Sequence, residues 1–274
     1  MDLGRHPAVG GMRDSHTPPP CGTRQPGFPL IYPAGDCWPR PAPLPGQIRG
    51  VLFDLGNVLY DDTLWRRWVL QLLSHVGLHT NYRSFFRIWD RDYLDDVHRG
   101  RRGFCEAFAA FLLAAGLSRS LIDEVEAACR ARRRQLEADA RALPGVKTTL
   151  ERLHQSGLAL GAISNSEHSA PVLRQRLDQF TVGRLFAAVV SSIDLQRTMP
   201  DPTCYLTAAK ALHTPAEQVA FVGHDAAELA GAAAAGMPTI AFNFDADARA
   251  DVYLARFEEL PEVIRTRPPL AAAG

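Results

Sequence analysis

Several short polar clusters stand where apolar runs stop, and their residue types are ones that do chemistry. Val51-Leu52-Phe53 runs into Asp54, with Gly56, Asn57 and Asp61 close behind. A second apolar run, residues 158–163, stops at Ser164-Asn165, and another, residues 218–222, stops at Gly223-His224-Asp225. Between these two lies Thr198-Met199-Pro200-Asp201-Pro202, which opens a helical stretch. A carboxylate such as Asp54 attacks an electrophile or binds a cation; more commonly it closes a turn after a strand. Ser164 and Asn165 offer hydrogen bonds to an anion, or cap a helix. His224 and Asp225, with Glu228 nearby, offer metal donors, or belong to an ordinary turn.

Such groups act together only if a frame brings them to one edge. The run ending at Asp54 is short, continuous and apolar, the pattern of a strand buried on both faces of a parallel sheet. From residue 146 onward helix and strand alternate: helices over 146–155, 169–177, 202–212 and 226–235, and strands over 158–163, 187–191, 218–222 and 239–242, the last of them. This alternation predicts an α/β fold, a doubly wound parallel sheet of Rossmann-like type with right-handed crossovers. Polar strand ends then gather at the carboxyl edge, where α/β proteins bind ligands. Between residues 62 and 141 no strand intervenes. Trp65, Trp68, Val69, Leu72, Leu73 and Val76 recur at helical spacing up to Gly77, and three more helices are expected over 82–98, 104–115 and 118–141, with Ser118 as an N-cap.

Bulk properties bound the rest. The chain has 274 residues, 46% hydrophobic and 22% charged, with a formal net charge of zero. That balance gives no electrostatic footprint for nucleic acid or an anionic membrane. No apolar run approaches the roughly 20 residues of a membrane span, and no apolar segment follows Arg5 as a signal peptide requires. Five cysteines at irregular spacing indicate reduced thiols and a cytoplasmic protein. Only Lys147 and Lys210 are lysines, which limits where a catalytic lysine can come from. Residues 1–47 hold eleven of the 20 prolines and are read as a disordered extension. The expected organisation is therefore this extension, an α/β core over 48–61 and 142–265, a helical unit over 62–141 and a flexible tail over 266–274.

Taken in this order on one alternating frame, the clusters resemble the four motifs of the haloacid dehalogenase superfamily of hydrolases, over residues 48–265. The first looks like Phe53-Asp54-Leu55-Gly56-Asn57-Val58-Leu59, and the second like Ile163-Ser164-Asn165. The third looks like Pro200-Asp201-Pro202 with Tyr205 and Ala208, and the fourth like Phe221-Val222-Gly223 through Ala235-Gly236-Met237. The helical unit then resembles the superfamily's small all-helical cap. What the resemblance implies is a phosphatase acting on a small phosphorylated metabolite. Asp54 is the implied nucleophile, forming an aspartyl-phosphate that water cleaves. Ser164 and the amide of Asn165 are implied to hydrogen-bond a phosphate oxygen. A magnesium ion is implied, held by Asp54, the Gly56 carbonyl and Asp225. Asp61, Trp65 and Tyr93 are the candidates for facing the substrate from the cap side. The oligomeric state has no signature.

Three positions depart from the family pattern. Gly56 stands where many of its phosphatases carry a second aspartate, the general acid and base. Met199 stands where a lysine is expected, with Arg197 two residues earlier as the candidate replacement. His224 stands where an aspartate is usual, and its imidazole suits manganese or zinc better than magnesium. Two alternatives follow: a catalytically degenerate member that binds a ligand or protein without turnover, and a dehalogenase-type hydrolase.

Overall fold

β1 (Gly50–Asp54) is buried along its whole length. Its side chains alternate between two cores, Val51 and Phe53 packing on one face and Leu52 on the other. This computed structural model describes residues 41–264 apart from Pro45. The expectations for residues 1–40 and 266–274 lie outside the described residues. The chain is already packed from Leu44, which is buried and donates its N–H to the Val263 carbonyl at 2.8 Å. Leu44, within the stretch expected as extension, and Ile48 both enter the apolar core.

Around β1 lie β2 (Ala159–Ser164), β3 (Phe186–Ser191), β4 (Val219–Gly223), β5 (Thr239–Phe242) and β6 (Val252–Leu254). They form one sheet, ordered β3-β2-β1-β4-β5-β6, and every pairing is parallel. β6 is a strand beyond the expected last one. Three residues are too few to show a period, and only the open edge of β5 makes them a strand. On one face lie α6 (Val146–Gln155), α7 (Ala170–Gln179) and α11 (Leu260–Val263), burying Leu150, Leu173 and Leu260. On the other lie α9 (Pro202–Ala211) and α10 (Ala226–Ala234), burying Tyr205 and Leu229. A single-turn helix, α8 (Ser192–Leu195), follows β3 directly.

α10 approaches the loop before α9 closely. A Cβ on Gly231 would lie 2.7 Å from both the Cβ and the carbonyl oxygen of Pro200. Backbone atoms cannot rotate away as a side-chain end can. Gly231→Ala is therefore expected to cost about 1–3 kcal/mol, as overpacking does. Thermal melts check this: a melting temperature within one degree of the wild type would show that the loop yields freely.

The helical block comprises α1 (Thr63–His75), α2 (Tyr82–Trp89), α3 (Asp95–His98), α4 (Phe104–Ala114) and α5 (Arg119–Asp139). The expected helix over 82–98 is interrupted by a π-helical turn at Asp90–Leu94. These helices bury a third core of their own, in which Trp89 packs edge-on against Phe104 and Phe108. Ser118 caps α5 by accepting the Leu121 N–H at 3.4 Å. Several bonds among the described residues fasten the block to the sheet's carboxyl edge, including the pair of Arg133 with Glu167. Arg99 Nη2 donates to Thr198 Oγ1 (3.0 Å), Thr198 Oγ1 donates to Asp95 Oδ1 (2.8 Å), and Ser192 Oγ donates to the His98 carbonyl (2.8 Å).

Candidate active site

Strand register aligns the polar strand ends. Asp54 pairs with Ile163, so Ser164 stands one residue beyond it on β2. Phe53 pairs with Val222, so His224 stands one residue beyond the level of Asp54 on the β4 side. The chain runs β1 to β2 to β3 in one direction, then returns to β4 on the other side of β1. Asp54 thus sits at the switch point of the doubly wound sheet, where its strand ends.

Asp54 is 5% exposed. Leu55 N–H donates to its Oδ1 at 2.7 Å, which orients the carboxylate, and its Oδ2 lies 3.1 Å from Nδ1 of His224. Burial raises the Asp54 carboxyl above its ordinary value, against the opposing pull of His224 and the Leu55 amide. Glu228 reaches the same point from the first turn of α10. Ligand atoms of Asp54, His224 and Glu228 all lie within 4.8 Å of one another. Oε2 of Glu228 is shielded from solvent and accepts no hydrogen bond among the described residues. Burial, and then the charges of Asp54 and Asp225, push its carboxyl well above the usual range.

The consequence for stability has a definite sign. A carboxyl raised in the folded state contributes stability fully below its unfolded value, near 4.5 for Glu228, and loses it as pH rises through the folded value. Glu228→Gln is expected to raise the melting temperature in chelator at neutral pH, and to flatten the fall in stability as pH rises above the unfolded value near 4.5. Melts across that range check it; a variant less stable than wild type at the upper end contradicts it.

Two cavities meet in front of Asp54. One, of about 630 Å³, is lined by Asp54, Met199, His224, Asp225 and Glu228, and acids outnumber bases on its wall. The other, of about 200 Å³, lies under the helical block and is lined by Trp65, Trp89, Phe104, Arg133 and Arg176 among others. Gly56, Asp62, Ser164 and Asn165 line both. Arg66 also lines both, but its guanidinium is committed to Asp90 at 2.7 and 2.8 Å. His98 on the shared wall is pulled down to about 4 by burial and by Arg66, so it is neutral at neutral pH.

The haloacid dehalogenase-like hydrolase profile matches residues 48–236, most of the chain. The chain belongs to this family. A phosphoglycolate phosphatase of Pseudomonas fluorescens is 32% identical over 214 residues, 73% of this haloacid dehalogenase-like chain and 71% of its own. One from Yersinia pseudotuberculosis is 29% identical over 223 residues, covering 78% and 91%. With the phosphoglycolate phosphatase of Salmonella typhi the match is 33% over 101 residues, only 39% of that protein's length. Among solved structures, a HAD-superfamily hydrolase from Geobacter sulfurreducens aligns with a TM-score of 0.60 at 18% identity, over 82% of this chain and 100% of that one. A 2-haloacid dehalogenase from Pseudomonas syringae aligns at 0.52 and 25%, over 79% and 98%.

Among the residues singled out from the family motifs, Asp54, Gly56, Ser164, Asn165 and Asp225 line the larger cavity. Asp225, expected as a metal ligand, uses Oδ1 to accept the N–H groups of Ala227 (2.8 Å) and Glu228 (3.0 Å), capping α10. That capping hands the inner position to Glu228, one helical turn on. The side chain of Asn165 grips the Met199 backbone, accepting its N–H at 2.8 Å and donating to its carbonyl at 3.1 Å. Arg197 does not reach either cavity. It is 57% exposed and pairs with Asp201 at 2.9 Å, since both lie on the outer side of the turn. Tyr93 packs in the core of the helical block against Trp89 and Phe111 and lines neither of the two cavities. Trp65 lines the smaller cavity, with Nε1 buried and donating to nothing among the described residues. Asp61 anchors α1, accepting from Thr63 N–H (2.9 Å) and Thr63 Oγ1 (2.6 Å) and pairing with Arg67.

Sequence reasoning passed over Asp62 and gave Glu228 only a secondary place. The doublet Asp61-Asp62 does not say which acid caps the helix and which is left to face the cavity. Asp245 and Asp247, on the loop after β5, also line the larger cavity, and nothing in their spacing marks them.

Proposed function

We propose that this haloacid dehalogenase-like hydrolase is a phosphatase of a small phosphorylated metabolite, with Asp54 as its nucleophile. The observation that carries this reading is the buried Asp54 carboxylate, oriented by a backbone amide, at the meeting of two cavities of unequal character. The acid-lined cavity takes the phosphoryl group with its counter-charge. The smaller, aromatic and arginine-lined cavity takes the rest of the substrate. The named phosphatase relatives, similar over more than two thirds of the chain, favour this class over dehalogenation. Ser164, at the end of β2 and on the wall of both cavities, is the donor for a phosphate oxygen. Asn165 acts at one remove by holding residue 199 in place. The helices over 62–141 serve as a cap over the site, and Trp65 offers its indole N–H to the substrate. The unpaired thiols of Cys105, Cys129 and Cys204 support a cytoplasmic setting.

A divalent cation fits the donor set. Glu228 Oε2 is buried without a partner among the described residues, and a phosphate dianion entering an acid-rich wall meets repulsion that these residues alone do not offset. Asp54, His224 and Glu228 are the residues that would hold it, with the Gly56 carbonyl on the same wall. When bound, the ion supplies positive charge toward the phosphate. Magnesium is the ion of the family resemblance, and the His224 nitrogen moves this site's preference toward manganese or zinc. In calorimetric titrations of chelator-treated protein, Mn2+ is expected to bind at least about tenfold tighter than Mg2+, and His224→Asp to narrow that gap. Equal preference in both proteins would defeat this assignment.

The function is tested by phosphate release from a panel of alkyl and sugar phosphates with several divalent ions, together with mass spectrometry of Asp54 after brief exposure to substrate. Phosphate release and a phosphorylated Asp54 support the reading. Silence across the panel, with a ligand or protein retained on purification, would instead support binding without turnover.

A further inference from the structure

Position 56 carries no side chain, yet the space beside it is occupied. A Cβ built on Gly56 would lie 2.5 Å from Oδ2 of Asp62 and 3.1 Å from its Cγ. The carboxylate of Asp62 therefore fills the volume that a side chain at position 56 would enter, six residues earlier in the chain. Two features put it there. Asp62 is the N-cap residue of α1, but its side chain caps nothing; Thr63 is held by Asp61 instead. The loop from Asp54 to Tyr60 also folds back tightly. Asn57 N–H donates to the Tyr60 carbonyl at 2.8 Å, and Leu59 N–H donates to the Leu55 carbonyl at 3.0 Å. This brings the start of α1 over Gly56. Asp62 lines both cavities and lies near enough to Asp54 to disfavour its charge.

We propose that Asp62 is the general acid and base of the reaction, reaching from the start of the cap into the space above Gly56. This rests on the phosphatase reading. With the phosphoryl group beside Asp54 and the leaving group under the helical block, the bond that breaks spans the junction where Asp62 stands. In the first step an Asp54 oxygen bonds to phosphorus and the ester P–O bond breaks. The departing oxygen takes the proton of the Asp62 carboxylic acid and leaves as the alcohol. In the second, water attacks the phosphorus, the Asp62 carboxylate takes its proton, and the P–O bond to Asp54 breaks. Asp54 returns as a carboxylate, inorganic phosphate leaves, and Asp62 is protonated again. Gly56 leaves open the space Asp62 occupies, and a side chain at position 56 would push the Asp62 carboxylate aside.

The test compares wild type, Asp62→Asn, Gly56→Asp and the double variant Gly56→Asp/Asp62→Gly on an alkyl phosphate and on p-nitrophenyl phosphate. Asp62→Asn is expected to lower kcat on the alkyl phosphate by about 10²-fold or more with little change in KM, the scale of general acid–base catalysis. On p-nitrophenyl phosphate, whose leaving group needs no proton, it is expected to give a burst of one equivalent followed by slow turnover. Phosphorylated Asp54 then accumulates, a signature that a merely structural role does not produce. Gly56→Asp alone is expected to lose activity through the clash, and the double variant to regain it. Wild-type turnover that needs Asp54 but is untouched by Asp62→Asn, with no burst, overturns the inference and leaves the phosphatase reading standing. No phosphate release by the wild type overturns both.

Discussion

Asp54→Asn is expected to remove phosphate-ester hydrolysis by at least about 10³-fold while making the folded protein more stable at neutral pH. The two effects have opposite signs because one feature causes both. Burial at the end of β1 raises the Asp54 carboxyl, so its ionised form is disfavoured in the fold. Stability from this group is present below its unfolded value of 3.8 and is lost as pH climbs through the raised folded value. An asparagine is near in shape, still accepts the Leu55 amide bond and carries no charge, so it escapes the penalty but cannot attack phosphorus. Activity assays and thermal melts at pH 7 in chelator test the pair of effects. A variant that loses activity and stability together would mark Asp54 as a structural carboxylate.

Met199→Lys carries the second large effect, and its direction is a gain. Met199 is 4% exposed, lines the larger cavity, and occupies the position where the family pattern has lysine. Its backbone is clamped by both groups of Asn165, so the position of residue 199 does not depend on its side chain. Lysine is similarly long and unbranched, and its ammonium would enter a wall that includes Asp54 and the uncompensated Glu228. Restoring one preorganised positive charge toward a phosphoryl oxygen is expected to raise kcat/KM by roughly 10- to 10²-fold. It should also weaken divalent-ion binding, because Glu228 gains a competing partner. Steady-state kinetics alongside metal titration read both. Unchanged kinetics in a variant with wild-type melting would show that position 199 is not directed at the reacting phosphate.

Much of the fold was legible along the chain. Helices and strands alternate after residue 146 with regular punctuation, and continuous apolar runs mark strands buried on both sides. Those patterns report burial, and burial is what a parallel sheet imposes. β6 escaped because three residues show no period. The π turn at Asp90–Leu94 escaped because it keeps the helix running. Asp54 and Ser164 were legible as residues of the sheet's carboxyl edge, and so of the candidate site, because strand direction alone carries them there.

Side-chain direction within a turn was not legible. Asp225 and Glu228 lie within one turn of each other; only the capping of α10 decides that Asp225 holds backbone and Glu228 faces His224. Arg197 looked like a substitute for the missing lysine, yet Asp201 four residues on holds it outward. The sequence by itself determined the doubly wound frame, the family and the edge where Asp54 ends its strand, all of which follow from hydrophobic periodicity and motif order. Only the tertiary structure decided that Asp62 lies over Gly56. That placement depends on how a tight loop turns the start of α1 back onto β1, and no local pattern encodes the distance between two residues six apart across such a fold.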